Sequence, residues 1–146
     1  SNNKKKFDLI LIKQTIHLLK SSEIKILLSQ LKRNLNPKGK ILIFLLNPFK
    51  NDLPHFRLMK IKLLKSLERD KKIIKLISSD YPKSILKHYS YKVEITKKKY
   101  IDMISKRYIS TLLYLNNKQI LSGIEEIKLN YKKNLKFYDK LVCIII

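Results

Sequence analysis

The chain has 146 residues, a formal net charge of +22 at pH 7, 45% hydrophobic residues and a single cysteine. That length supports one domain around one modest core, and the apolar content argues against disorder. Cys143 alone excludes an internal disulfide, and no apolar run approaches the ~20 residues that span a bilayer.

The first strong signal is Phe7 to Ile12, a nearly continuous apolar run of the kind expected for a buried parallel strand. Basic Lys4–Lys6 precede it, but Asp8 and Lys13 interrupt the segment and no small-residue cleavage site follows. A signal peptide is therefore not read, and the expected location is cytoplasmic, that is, intracellular. Gln14 to Leu19 reads as a loop or short helical turn. Ser21 and Ser22 are candidate helix caps, and Glu23 suits the positive end of a first turn. Ile24, Leu27, Leu28, Leu31 and Leu35 then recur at helical spacing. Asn36-Pro37 ends that helix, Gly39 supplies a permissive turn, and Ile41 to Leu46 is a second apolar strand.

Strand, short helix and strand make a parallel crossover unit. Phe56, Met59, Leu63 and Leu67 open a basic amphipathic helix that can continue through Ile77 and is broken at Asp80-Tyr81-Pro82. Tyr89 to Ile95 alternates and reads as a third strand. Thr96 caps a helix carrying Tyr100, Ile101, Ile104, Tyr108 and Leu112. Asn116 or Asn117 caps another, with Ile120, Ile124, Ile127 and Tyr131 on one face. Leu135 to Ile146 closes the chain as a strand. Residues 1–146 are thus one α/β domain with a helical insertion at about 97–131.

The charge has two readings. Lysine outnumbers arginine by 29 to four, alanine is absent, and Lys, Ile, Asn and Tyr are abundant. Most of these residues have A/T-rich codons, so an A+T-rich genome would load lysine onto any solvated surface. The other reading is a selected polyanion-binding surface. Either gives a basic protein with salt-sensitive, non-specific attraction to RNA. His55 and His88 lack ligand-type neighbours at metal spacing, so no metal site is expected.

Taken in order, these segments resemble the second half of a class I S-adenosylmethionine-dependent methyltransferase of the small-molecule "type 11/12" kind. Phe7-Asp8-Leu9-Ile10 is similar to that family's strand four, and Gln14-Thr15-Ile16-His17 to the segment after it. Leu31 to Phe44, LKRNLNPKGKILIF, resembles its helix, its Pro-Gly-Gly-type turn (with Lys38 at the first glycine) and its strand five. Tyr100 to Leu113 and Ser122 to Ile127 resemble a helical insertion, and FYDKLVCIII the final strand.

The resemblance implies a partial Rossmann-like fold with sheet order 4-5-7-6, the last strand antiparallel, and strands 1–3 lacking. The Gly-rich donor loop and the ribose-binding acid of the family have no counterpart here. The expectation is a truncated transferase domain, whose N-terminal half or another partner chain covers strand Phe7–Ile12. S-adenosylmethionine would bind only with that half present. Gln14 and His17 are the expected cofactor-binding residues. Tyr100, Arg107 and Tyr108 are those expected to shape the pocket of a small-molecule acceptor, although Tyr108 also lies on the apolar stripe. Asn47-Pro48-Phe49 is similar to the Asn/Asp-Pro-Pro-aromatic motif of base-amino methyltransferases, but follows the wrong strand and reads as a strand terminator. The alternative is a non-catalytic module of the same descent, binding a partner or RNA through its basic surface.

Overall fold

Side-chain alternation along the strands builds the core. In a computed structural model that describes residues 5–146, the chain runs β1 (Phe7–Lys13), a 3-10 turn (Ile16–Leu18), α1 (Ser21–Arg33), β2 (Leu35–Leu46), α2 (Arg57–Asp80) and β3 (Ile85–Thr96). It continues through α3 (Lys97–Ser105), a second 3-10 turn (Ser110–Tyr114), α4 (Asn117–Asn130) and β4 (Asn134–Ile145). The first lysine of the Lys4–Lys6 run lies outside the described residues.

The four strands form one mixed sheet in the order β1-β2-β4-β3. β1 is parallel to β2, and β4 is antiparallel to both of its neighbours. This is the strand order and direction that the sequence resemblance implies.

One face of the sheet carries Ile10, Ile12, Ile41, Ile43, Leu45, Val142 and Ile144, as the register dictates. Ile24 and Leu28 of α1 and Ile73, Ile74 and Ile77 of α2 close over it as one buried cluster. A second cluster sits where the antiparallel β3–β4 pair extends past β2. There Tyr100 and Ile104 of α3, Ile120, Ile124 and Ile127 of α4, and Phe56 and Met59 at the start of α2 pack on Leu135.

The opposite face is different. Leu11, Leu42, Ile145 and Ile85 form one row across all four strands. The outer members stay open, with Leu11 58% and Ile85 55% exposed. Phe7 and Leu9 on β1 are exposed as well.

Several local expectations change. α1 starts from Lys20, whose backbone N–H donates to Glu23 Oε2 at 2.6 Å, so Ser21 and Ser22 stand inside the first turn instead of capping it. The helix ends at Arg33, and Leu35 belongs to β2. The pairing of β1 with β2 jumps from Phe7–Leu35 to Leu9–Lys40, which leaves Asn36 to Gly39 as an excursion. No described glycine has a positive φ. Gly39 is needed for space instead: a Cβ there would stand 2.8 Å from the Phe7 carbonyl oxygen. The helix expected to run from Thr96 to Leu112 stops at Ser105, although Thr96 does cap it, accepting from the Lys99 N–H. The third strand begins at Ile85, four residues before the expected Tyr89.

Gly123 on α4 faces the Phe56 ring, and a Cβ there would lie 2.5 Å from a ring carbon. Phe56 is buried and fixed among its neighbours, so it has little room to give. Gly123→Ala should lower the unfolding free energy by roughly 1–3 kcal/mol despite alanine's better helix propensity. Urea denaturation of the two proteins checks this; equal stability would mean that the ring relocates freely.

Candidate functional site

A cavity of about 470 Å³ opens beyond the C-terminal ends of β1 and β2. Open α/β sheets bind ligands at that end, because the loops there are free to carry polar groups. All five residues picked out from the sequence, Gln14, His17, Tyr100, Arg107 and Tyr108, line this cavity. They come from three parts of the chain: the turn after β1, helix α3, and the segment that leaves α3.

Gln14 follows β1 directly and holds φ at 50°. Its N–H donates to the Phe44 carbonyl at 2.8 Å, which prolongs the β1–β2 ladder by one bond while the chain swings away. Arg107 holds φ at 54° where the chain leaves α3. These are the only described non-glycine residues with positive φ. Each costs on the order of 1 kcal/mol, and both stand at the cavity.

Two of the five have structural commitments. Tyr100 is buried, and its hydroxyl donates to the Pro54 carbonyl. That burial pushes its pKa far up, so it offers the cavity a wall rather than a proton. Arg107 donates from one terminal nitrogen to the Leu115 carbonyl at 2.9 Å and to Asn117 Oδ1 at 3.0 Å, tying the second 3-10 turn to α4. Its Nε is buried with no partner. Tyr108 lies beyond the end of α3 and is 69% exposed, so it is not on the core stripe that the helical spacing suggested.

His17 is half-buried, and its Nε2 has no hydrogen-bond partner. Burial, then the charge of Arg69, lowers its pKa, which leaves a neutral ring at pH 7. The cavity also receives two carboxyl groups that the sequence reading passed over, Asp70 and Asp139. Asp70 is 3% exposed, and its Oδ1 has no partner. Burial raises its pKa to about 6, against a smaller lowering by Arg69. Burial likewise raises Asp139, with Lys13 opposing. A signal for Asp70 existed: it occupies a core position in the stripe Met59, Leu63, Leu67, Asp70, Ile74, Ile77. A charged residue on an apolar stripe is costly unless something uses it.

His55 and His88 stay apart from the cavity. His55 Nδ1 donates to the Leu53 carbonyl within its own loop, and His88 stands 3.3 Å from Asn47 Nδ2. Asn47 Oδ1 receives the N–H groups of Phe49 and Lys50, as a strand-terminating turn would have it. Among the described residues no group of His, Cys, Asp and Glu side chains could hold a metal ion, and none of the helices there is long and apolar enough to cross a membrane.

Comparison with solved structures bears on the fold. A protein named as a methyltransferase of an antibiotic biosynthesis pathway, from Anabaena variabilis ATCC 29413, superposes with a TM-score of 0.56 at 10% identity. The two share a fold. The match covers 96% of this chain and 67% of that one. The plantazolicin methyltransferase BpumL, solved with a desmethyl substrate analogue and SAH, matches at a TM-score of 0.40 and 13% identity, over 100% of this chain and 53% of that one. No protein-family model matches the chain, and no curated protein matches it.

The state of Asp70 sets a pH dependence. With its folded pKa near 6 and an ordinary value of 3.8, the folded protein holds a proton that the unfolded chain has released. This group's favourable contribution is complete below about pH 4 and is lost as pH rises through about 6. Asp70→Asn should therefore raise the unfolding free energy at about pH 7.5 by roughly 1–3 kcal/mol, and by nothing near pH 4. Denaturant titrations at the two pH values measure the difference directly; an equal gain at both would mean that the carboxyl is not protonated on folding.

Proposed function

We propose that this chain is the C-terminal part of an S-adenosylmethionine-dependent methyltransferase domain acting on a small molecule. The observation that carries the reading is the cavity at the C-terminal ends of β1 and β2, on a sheet ordered β1-β2-β4-β3. The fold shared with a methyltransferase-named protein supports it.

The residues present fit one wall of a donor site. Gln14 and His17 stand at the end of β1 with polar atoms available, and His17 Nε2 is an unmet hydrogen-bonding atom. Among the described residues there is no Gly-rich loop before a helix and no acidic residue ending a further parallel strand. In this reading those parts belong to sheet added beyond β1. The exposed Phe7, Leu9 and Leu11 and the open row ending at Ile85 are the surfaces such an addition would cover. One third of the Anabaena protein lies outside the match, which is room for it.

S-adenosylmethionine, when bound, supplies an electrophilic methyl group. This chain would do the rest by position. Gln14 and His17 orient the donor's polar edge. Tyr108, Met103 and Leu113 shape the acceptor side. Asp70, buried and with Oδ1 free, receives a hydroxyl or amine proton from the acceptor and keeps water out of that corner.

The protein isolated from its own cells, with any accompanying polypeptide, should bind S-adenosylhomocysteine. Gln14→Ala and His17→Ala should each weaken that binding about tenfold while leaving the melting temperature within a few degrees. Calorimetric titration gives the affinities, and unchanged values for both variants would remove the two assignments.

A further inference from the structure

Next to the main cavity lies a smaller recess of about 290 Å³. Lys62, Lys65 and Arg69 of α2 line it from one side. Their spacing of three and four residues places them on one helix face, where like charges repel. Among the described residues no ion pair involves any of the three. The other side is formed by His17 and by Ser110 and Thr111 of the second 3-10 turn. Thr111 is 5% exposed, and its Oγ1 is buried without a hydrogen-bond partner. His17 Nε2 is the second unpartnered atom at the same place.

A solvated lysine surface does not have these features. Exposed lysines meet water, and a hydroxyl among them meets water too. Lys65 and Arg69 are themselves exposed and Lys62 is half-buried; what sets the recess apart is a far wall that holds two polar atoms shut away from solvent. A buried hydroxyl left without a partner costs about 1–3 kcal/mol, and a small anion satisfies it while relieving the repulsion along α2. The carboxyl groups of Asp70 and Asp139 line the larger cavity, with Arg107, and not the recess, so no carboxylate lines the recess to compete for its cations. The two spaces share His17, Leu18, Ser66 and Ser110 and are therefore direct neighbours.

We propose that the recess is an anion subsite, receiving the carboxylate or phosphate of a small ligand whose uncharged body lies in the larger cavity. In the methyltransferase reading, on which this last step rests, that ligand is the methyl acceptor. Its anionic group is held by Lys62, Lys65, Arg69 and Thr111, and its nucleophilic hydroxyl or amine is turned toward Asp70.

The test uses the purified chain at constant ionic strength, with benzoate, phenyl phosphate, inorganic phosphate and uncharged benzamide as probes. NMR titration should show saturating shifts of the His17 ring and the Thr111 methyl with benzoate or phenyl phosphate, and none with benzamide. Whichever of the two binds more tightly identifies the head group, and inorganic phosphate alone should compete if it is a phosphate. Lys62→Glu with Arg69→Glu should weaken the preferred probe at least tenfold. Lys98→Glu with Lys99→Glu, the same change of charge on exposed positions elsewhere, should leave it within twofold. Thr111→Val should weaken it about fivefold while the free protein loses no stability. Equal losses in the two double variants would reduce the recess to general charge attraction and overturn the proposal. So would equal binding of benzamide, or the absence of saturation with every anionic probe. Donor binding is read on the protein from its own cells with any accompanying polypeptide: a saturating anion without donor binding there keeps the subsite and removes the methyltransferase reading, and donor binding without an anion does the reverse.

Discussion

The outer edge of β1 is the constraint on which the rest of this molecule depends. Its inner edge is spent on the parallel ladder to β2, and that ladder holds the turn carrying Gln14 and His17 in place. The outer edge offers backbone donors and acceptors with no strand beside them, flanked by exposed Phe7, Leu9 and Leu11. An apolar edge strand of this kind is a template for pairing with another strand. Native edges are usually blunted by charge, proline or a bulge; β1 has Asp8 with the break in register beside it and Lys13 at its end, and Leu9 to Ile12 between them are uncharged. The open row from Leu11 to Ile85 extends the same requirement across one whole face. A sheet covered on one face and open on the other is half of a layered α/β architecture.

The site inherits its shape from that sheet. Parallel β1 and β2 end together, the antiparallel β3–β4 pair runs on past them, and the helical segment that joins β3 to β4 folds back over the step. The cavity is the space left under the insertion. Its two positive-φ residues mark where the chain has to turn sharply to enclose it, once leaving β1 and once leaving α3. Its unmet polar atoms on His17, Asp70, Arg107 and Thr111 are the whole set of buried side-chain atoms found without a partner among the described residues. Their concentration at one end of the sheet points to ligand binding more firmly than any one of them does.

Much of this was legible in the sequence, for identifiable reasons. Continuous apolar runs gave the two parallel strands, since strands buried by helices need apolar residues throughout. Helical spacing gave α1, α2 and α4, and the Thr96 and Asn116 caps were readable from residue type alone. The five candidate residues came from the family resemblance, helped for Gln14 and His17 by their place after a strand end, and they do meet at one cavity. What escaped depends on contacts distant in sequence. Nothing local says that Arg107 will break the helix at φ 54°, because its tie to Leu115 and Asn117 is made across a turn. Gly39 looked like a turn glycine, and its need for space arises from Phe7, 32 positions earlier. Asp70 stands on the apolar stripe of α2, but its meeting with His17 and Asp139 at one cavity is made by elements far apart in sequence.

The central claim is that β1 is an internal strand of the working protein. Native mass spectrometry on the protein taken from its own cells, with and without added S-adenosylmethionine, tests it most directly. The account predicts a species heavier than the 17.4 kDa of this chain, carrying additional polypeptide and gaining the mass of one donor. A bare chain that takes up no donor at any concentration tried would contradict it, and would leave β1 an open edge with no transferase behind it.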